Sequence, residues 1–283
     1  MITLKNLTFA YGKSTVAAIT DSNATIGPGI HLLLGENGAG KTTLLHLISG
    51  LRHPTSGSCL IDGEAPSART PEVMQRVFFY SDDIQIPGST INEYAGRHAC
   101  FFPNFDAQML RSNLEAFGMT GNEKLKNLSL GSRRKAQLAY AISLQTDLLL
   151  LDEPANGLDI TAKQTLQKIL AANISEHQTV IISTHTVADL INLYDGLIAI
   201  TRGKLITAIQ TQQLSECIAF ITSPLPLPHS LYCEQTLGKF RSIVPASTVD
   251  EPTDIDYTLL YNALLSPARD SIIKLINRPS TEE

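Results

Sequence analysis

Two stretches of the sequence have the residue types and spacing for phosphate chemistry. Gly35-Glu36-Asn37-Gly38-Ala39-Gly40-Lys41-Thr42 follows the pattern glycine, four residues, glycine, lysine, hydroxyl. With a strand in front and a helix behind, the loop N–H groups would point at a β-phosphate and the helix would add its positive end. Gly35, Asn37, Gly38, Ala39 and Gly40 form that cradle, and glycine permits its turn. Lys41 would reach the β- and γ-phosphates, Thr42 would place its hydroxyl on Mg²⁺, and Thr43 would bond the α-phosphate. A glycine-rich turn without function is the competing reading. The second stretch, Asp147 to Glu153, is an apolar strand ending in two adjacent acids. Asp152 would hold Mg²⁺, largely through water, while Glu153 would polarise a water attacking the γ-phosphate. Two solvated acids after a strand are common in proteins, so this element gains its meaning from the loop upstream.

These residues need a scaffold that holds loop and acids together. Apolar runs at Ile30 to Leu34, Val77 to Tyr80, Leu148 to Leu151, Val180 to Ile182 and Leu197 to Ile200 are short enough for buried parallel strands. Ile2 to Phe9 mixes β-formers with polar residues in the manner of an edge strand. Between the runs lie helical patterns, clearest at Ala162, Leu166, Ile169, Leu170 and Ile174. Strand and helix alternating predict an α/β domain. Two segments break the rhythm. About 87–127 reads as a small helical insertion rich in aromatics (Phe101, Phe102, Phe105, Phe117). Ser223 to Pro228 alternates proline with leucine or serine and reads as a linker to a C-terminal appendage. The predicted boundaries are a cassette over 1–213 and an accessory segment over 214–283, where Ile255 to Leu265 has the pattern of an amphipathic helix. A regulatory or dimer-supporting role and a purely structural one are equally open for that segment.

Composition narrows the class. A chain of 283 residues, 43% hydrophobic, can bury a sizeable core, and its net charge of -5 lacks the footprint of a general nucleic-acid binder. The four cysteines are scattered without a close pair, which argues against zinc, redox or disulfide frameworks and fits a reducing cytosol. The start has no signal-peptide pattern, and nowhere do about 18 apolar residues run together. Any membrane role is therefore expected to run through a partner.

Leu128-Ser129-Leu130-Gly131-Ser132, followed by Arg133-Arg134-Lys135 and the helical run Ala136 to Leu144, resembles the signature of ABC ATPases. The resemblance covers about residues 1 to 210. It implies a P-loop NTPase core with an antiparallel β subdomain. In that family Ser129, Gly131 and the helix tip would bind the γ-phosphate of ATP held by the opposite subunit, so ATP hydrolysis would belong to a dimer. Standing alone, the same stretch would be an ordinary serine cap. Ala155-Asn156-Gly157-Leu158-Asp159 resembles the loop that communicates between two ATP sites, although Asp159 equally suits a helix cap. His185 resembles the switch residue at the γ-phosphate, against the plain reading of a surface histidine. Tyr11 resembles the aromatic that stacks on adenine, against ordinary packing in a turn. Three positions depart from the family pattern. Asp82 stands where glutamine touches Mg²⁺, and as a hard oxygen ligand it would still bind the metal or its water. Leu130 and Ser132 replace the usual glycine and glutamine, pointing to weak or regulated hydrolysis.

Phe101-Phe102-Pro103-Asn104-Phe105-Asp106, the short insertion and the solitary cassette resemble bacterial exporters of the ABC-2 type. That resemblance implies ATP and Mg²⁺ as cofactors, a homo- or heterodimer of ATPase subunits, and a separate transmembrane permease. It implies a cytoplasmic protein held at the inner face of the membrane, with the insertion forming a groove for a permease helix. The phenylalanines would also fill the insertion's own core. Two alternatives stay open: a soluble ABC ATPase that acts on ribosomes or DNA, and a nucleotide-binding regulatory module that hydrolyses poorly.

Overall fold

The computed structural model describes residues 1–12, 16–82, 86–87, 89–184 and 193–277. A six-stranded sheet in the order β5-β6-β7-β3-β8-β9 forms its centre. It comprises β3 (Gly29–Leu34), β5 (Val77–Tyr80), β6 (Leu148–Asp152), β7 (Thr179–Thr184), β8 (Gly196–Thr201) and β9 (Lys204–Gln210). All pairings are parallel except the last, β8 with β9. Successive side chains of a strand point to opposite faces, and here both faces are covered. Leu32, Leu34, Leu149, Leu151, Val180 and Ile182 enter one core, while Leu33, Leu148, Leu150 and Ile181 enter the other. Uninterrupted apolar runs are the consequence.

The second face is closed by α1 (Lys41–Ile48) and by an antiparallel sheet in the order β2-β1-β4, from β1 (Ile2–Phe9), β2 (Ile19–Ile26) and β4 (Ser56–Ile61). The expectation of an edge strand at Ile2 to Phe9 is corrected here. β1 is central, pairing with β2 and β4, and its polar residues are accommodated by irregular register on both sides.

The first face carries α5 (Leu130–Ser143), α6 (Ile160–Asn173) and the insertion, with α3 (Ile91–His98) and α4 (Ala107–Ala116). α2 (Pro71–Met74) precedes β5. Thr90 and Asp106 cap α3 and α4 by accepting backbone N–H bonds. Phe102 and Phe117 are buried and Phe105 packs against them, whereas Phe101 remains 61% exposed.

Beyond β9 come α7 (Thr211–Cys217), then β10 (Ile218–Ser223), β11 (Tyr232–Thr236) and β12 (Lys239–Pro245) in the order β10-β12-β11, then α8 (Tyr257–Leu265) and α9 (Arg269–Ile276). The expected boundary after residue 213 falls inside α7. The proline run at 223–228 joins β10 to β11 within the appendage and does not link it to the cassette. The appendage is packed on rather than strung out, since Leu214, Ile218, Leu260 and Leu264 belong to the same core as Leu32 and Leu151. Among the described residues no helix is long and apolar enough to cross a membrane.

Candidate functional site

Parallel register decides where the site lies. Leu34 of β3 pairs with Thr184 of β7, and Asp152 of β6 pairs with Ser183, so loop and acids leave the sheet at the same carboxyl edge. The loop then turns on glycines that could not be replaced cheaply. Gly40 has φ +106 and a Cβ there would lie 2.9 Å from the Ala18 carbonyl, while one on Gly35 would lie 2.7 Å from the Ile200 carbonyl. Gly40 starts α1 with no side-chain cap, which leaves the helix N–H groups facing the cavity.

That cavity, about 390 Å³, is lined by Tyr11, Ala18, Glu36, Asn37, Gly38, Gly40, Lys41, Thr42, Thr43, Asp152 and Glu153. Lys41 is 7% exposed and its ammonium is folded back on the loop, donating to the carbonyls of Gly35 (2.7 Å) and Glu36 (3.4 Å). The Glu153 carboxylate lies 3.9 Å away. Burial holds the Lys41 pKa below its ordinary value, opposed by the charges of Glu153 and Asp152. Thr42 Oγ1 donates to Asp152 Oδ2 at 2.7 Å. These are two hard oxygens at the mouth of an anion cradle, the donor set that suits Mg²⁺ beside phosphates. Tyr11, 42% exposed, shares a hydrogen bond of 3.0 Å between its hydroxyl and Thr43 Oγ1, and the Arg52 guanidinium stands 5.4 Å from its ring centre.

Ser183 is the partner not expected as a site residue. It is fully buried, its hydroxyl donates to Asp152 Oδ1, and it accepts from the Glu153 N–H at 3.1 Å. The Glu153 N–H also meets the Ser183 carbonyl at 3.1 Å. Glu153 itself has φ +51, a left-handed conformation that costs a non-glycine residue roughly 1 to 3 kcal/mol. Two bonds from β7 hold it there. In the sequence Ser183 is one of three hydroxyl residues of the strand, with Thr179 and Thr184, and nothing there marks it out.

The other expected residues lie away from this cavity. Ser129 caps α5 by accepting from the Ser132 N–H at 3.1 Å and is exposed together with Leu130, which is 58% exposed. Leu130 occupies the first helical position without left-handed backbone, so the chain there does not need glycine. Gly131 approaches Gly157, whose carbonyl would meet a Cβ at 3.1 Å. Asp159 caps α6 through the Ala162 N–H (2.7 Å) and pairs with Lys135 (3.2 Å), which together lower its pKa, the N–H bond most. Asp82 does not line the cavity. Its Oδ2 accepts from Arg134 at 2.6 Å, so in this state it serves a guanidinium rather than the metal position. His185 lies outside the described residues.

Among known proteins, the family model described as ABC transporter matches residues 12–156. The chain is similar to the ABC transporter ATP-binding protein NatA of Bacillus subtilis, 32% identical over 220 residues, covering 73% of this chain and 88% of NatA. It is also similar to the energy-coupling factor transporter ATP-binding protein EcfA2 of Lactiplantibacillus plantarum, 30% identical over 258 residues, covering 84% of this chain and 87% of EcfA2. Among solved structures it resembles a dimeric ATP-binding cassette in a post-hydrolysis state with ADP and Pi, with TM-score 0.62, 22% identity, and coverage of 74% of this chain and 98% of that one.

Proposed function

The chain belongs to the ABC transporter family, and on that premise we propose that it is the ATPase half of a nucleotide-sandwiching dimer that drives export through a separate membrane permease. That it is an ATP-binding subunit of a transporter follows from the family itself. The observation that carries the rest is a division of parts. Phosphate loop, Asp152 and Glu153 share one open cavity, while Ser129 and Gly131 sit elsewhere, at an exposed helix tip. A second copy would bring its tip to the first copy's cavity.

In the reaction, Lys41 leaves the loop carbonyls for the β- and γ-phosphates, and the uncapped start of α1 receives the remaining charge. Its desolvated ammonium gains from any anion placed beside it. Thr42 and Asp152 would hold Mg²⁺, which supplies charge neutralisation at the phosphates. Glu153, fixed by Ser183, takes the proton of the attacking water. Tyr11 lies at the mouth of the cavity, where a purine would stack on it. Ser129, Gly131 and Asp159 act across the dimer, and the γ-phosphate role of His185 is taken from the family resemblance alone. Asp82 would meet the metal only after giving up Arg134.

Support for a permease comes from a second cavity, about 450 Å³, between the insertion and the core, lined by Leu51, Val77, Phe78, Phe79, His98 and Phe102 among others. It is apolar and open, fit for a cytoplasmic helix of a membrane partner. Export is favoured by the Phe101 to Asp106 segment, and the inner face of the membrane is then the chain's location. Glu153→Gln incubated with Mg²⁺ and ATP tests the central claim. It should elute as a dimer and hydrolyse at least a hundredfold more slowly than the parent. Parental turnover would remove Glu153 from its role. Copurification should yield a multi-span protein, with ATP-dependent efflux in reconstituted vesicles. Recovery of soluble partners alone would favour a non-transport ATPase, and uptake in place of efflux would reverse the direction.

A further inference from the structure

Behind the exposed tip of α5, the side chain of Arg134 is only 11% exposed and joins three elements. Its Nη2 donates to Asp82 Oδ2 (2.6 Å), just past β5, and its Nη1 donates to the Asn156 carbonyl (2.5 Å), in the turn that follows Glu153. The turn is shaped to receive it. Gly157 has φ +67, and a Cβ there would overlap Arg134 Nη1. One helical turn earlier, Gly131 comes close to the carbonyl of Gly157. Residues three apart share a helix face, so α5 is keyed to one turn at two successive points. A buried ion pair adds little net stability, because desolvation offsets its attraction. A planar fork engaged on two sides does fix geometry, which a lysine could not do.

We propose that Arg134 is a positioning residue for hydrolysis: it sets the angle of α5, and with it the Ser129 tip offered to the partner copy, against the turn after Glu153 and against Asp82. The role rests on the reading that ATP is hydrolysed between two copies. In this arrangement each chain's signature helix reports on the turn beside its own catalytic carboxylate. Asp82 at the family's glutamine position and Arg134 in the helix form a single device. Replacing Asp82 takes from the Arg134 fork one of its two acceptors, and replacing Arg134 removes the fork itself.

The test compares the parent with Arg134→Gln, Arg134→Lys, Asp82→Gln and the double variant Asp82→Gln/Arg134→Gln. Three quantities are measured: ATP affinity of the monomer by calorimetry, the protein concentration at which a non-hydrolysable ATP analogue with Mg²⁺ yields dimer, and kcat with KM. Arg134→Gln should lower kcat and raise the dimerising concentration, each about tenfold, while monomer affinity stays within about twofold. Arg134→Lys, which keeps the charge and loses the fork, should fall between. The double variant should recover part of the loss, because the Asp82–Arg134 pair is then removed from both sides at once. Parental kcat and dimerisation in Arg134→Gln would overturn the proposal. So would losses that simply multiply in the double variant, or a monomer affinity that falls in step with kcat. If Arg134→Gln fails to fold, Arg134→Lys carries the same comparison. A parent that binds ATP without turnover sinks only the hydrolysis reading, and the dimerisation measurements still decide the role of Arg134.

Discussion

Removing the Ser183 hydroxyl tests whether β7 holds the catalytic strand end in place. Ser183→Ala keeps the buried volume nearly unchanged and deletes one oxygen, so the effect can be assigned to hydrogen bonds. Two are affected: the donation to Asp152 and the acceptance from the Glu153 N–H. A bond to a charged group contributes roughly 1.5 to 3 kcal/mol. The Glu153 N–H retains the Ser183 carbonyl, so its share of the loss is small. Asp152 likewise keeps Thr42. A total of about 2 kcal/mol follows, or about 3 °C in Tm for a chain of this size. Activity should fall further than stability, because Glu153 at φ +51 is strained and would relax toward ordinary backbone once its support weakens. We expect kcat to drop about tenfold or more with ATP affinity unchanged. Scanning calorimetry and steady-state turnover read both. A Tm within about 1 °C of the parent, together with parental kcat, would show that neither bond shapes the site.

Other outcomes follow from the same geometry. Lys41→Ala should weaken ATP binding by at least about tenfold, since the phosphates lose their cation; an affinity equal to the parent's by calorimetry would refute this. Gly157→Ala should cost about 2 kcal/mol, combining left-handed strain with eviction of Arg134, and its hydrolysis should resemble that of Arg134→Gln. Stability should fall on mild acidification. His31, His46 and His98 have pKa values held below 6.5 chiefly by burial, so the unfolded chain binds their protons more readily. Stability is then full above about pH 6.5 and is lost as pH falls through the interval down to the folded values, by at most about 1.4 kcal/mol per pH unit for each histidine. Asp62 and Asp159, with pKa values lowered by hydrogen bonds, add their loss only below 3.8. A melting temperature flat from pH 7 to 5 would contradict the assignment.

How much of this was legible in sequence depends on distance along the chain. The phosphate loop and the acidic strand are local patterns, so residue spacing alone carried them. The central strands were visible because burial on both faces makes them apolar throughout. β2 was not, since Asp21 and Asn23 have poor strand propensity and the segment is held in place by pairing to β1. β10 to β12 were hidden for a related reason, their exposed faces being polar and their proline connection looking like a linker. The partners of Asp82 and Glu36 were out of reach altogether. Arg134 lies 52 residues from Asp82, and Tyr261 lies 225 residues from Glu36. Ser129 and Asp159 looked ambiguous between cap and contact, and within one chain both are caps. The second role proposed for them would be played between two copies of the chain.

The bond from the Glu36 N–H to the Tyr261 hydroxyl, 2.6 Å long, ties α8 of the appendage directly to the rim of the phosphate loop. Thermodynamically, a helix tethered in this way acts as an intramolecular ligand of the loop, present at high effective concentration. Linkage then runs both ways. Any molecule that grips α8 with different strength in the empty and loaded cassettes must alter ATP affinity by the same factor by which ATP alters its own. A molecule that told the two states apart through α8 would thereby read out nucleotide occupancy.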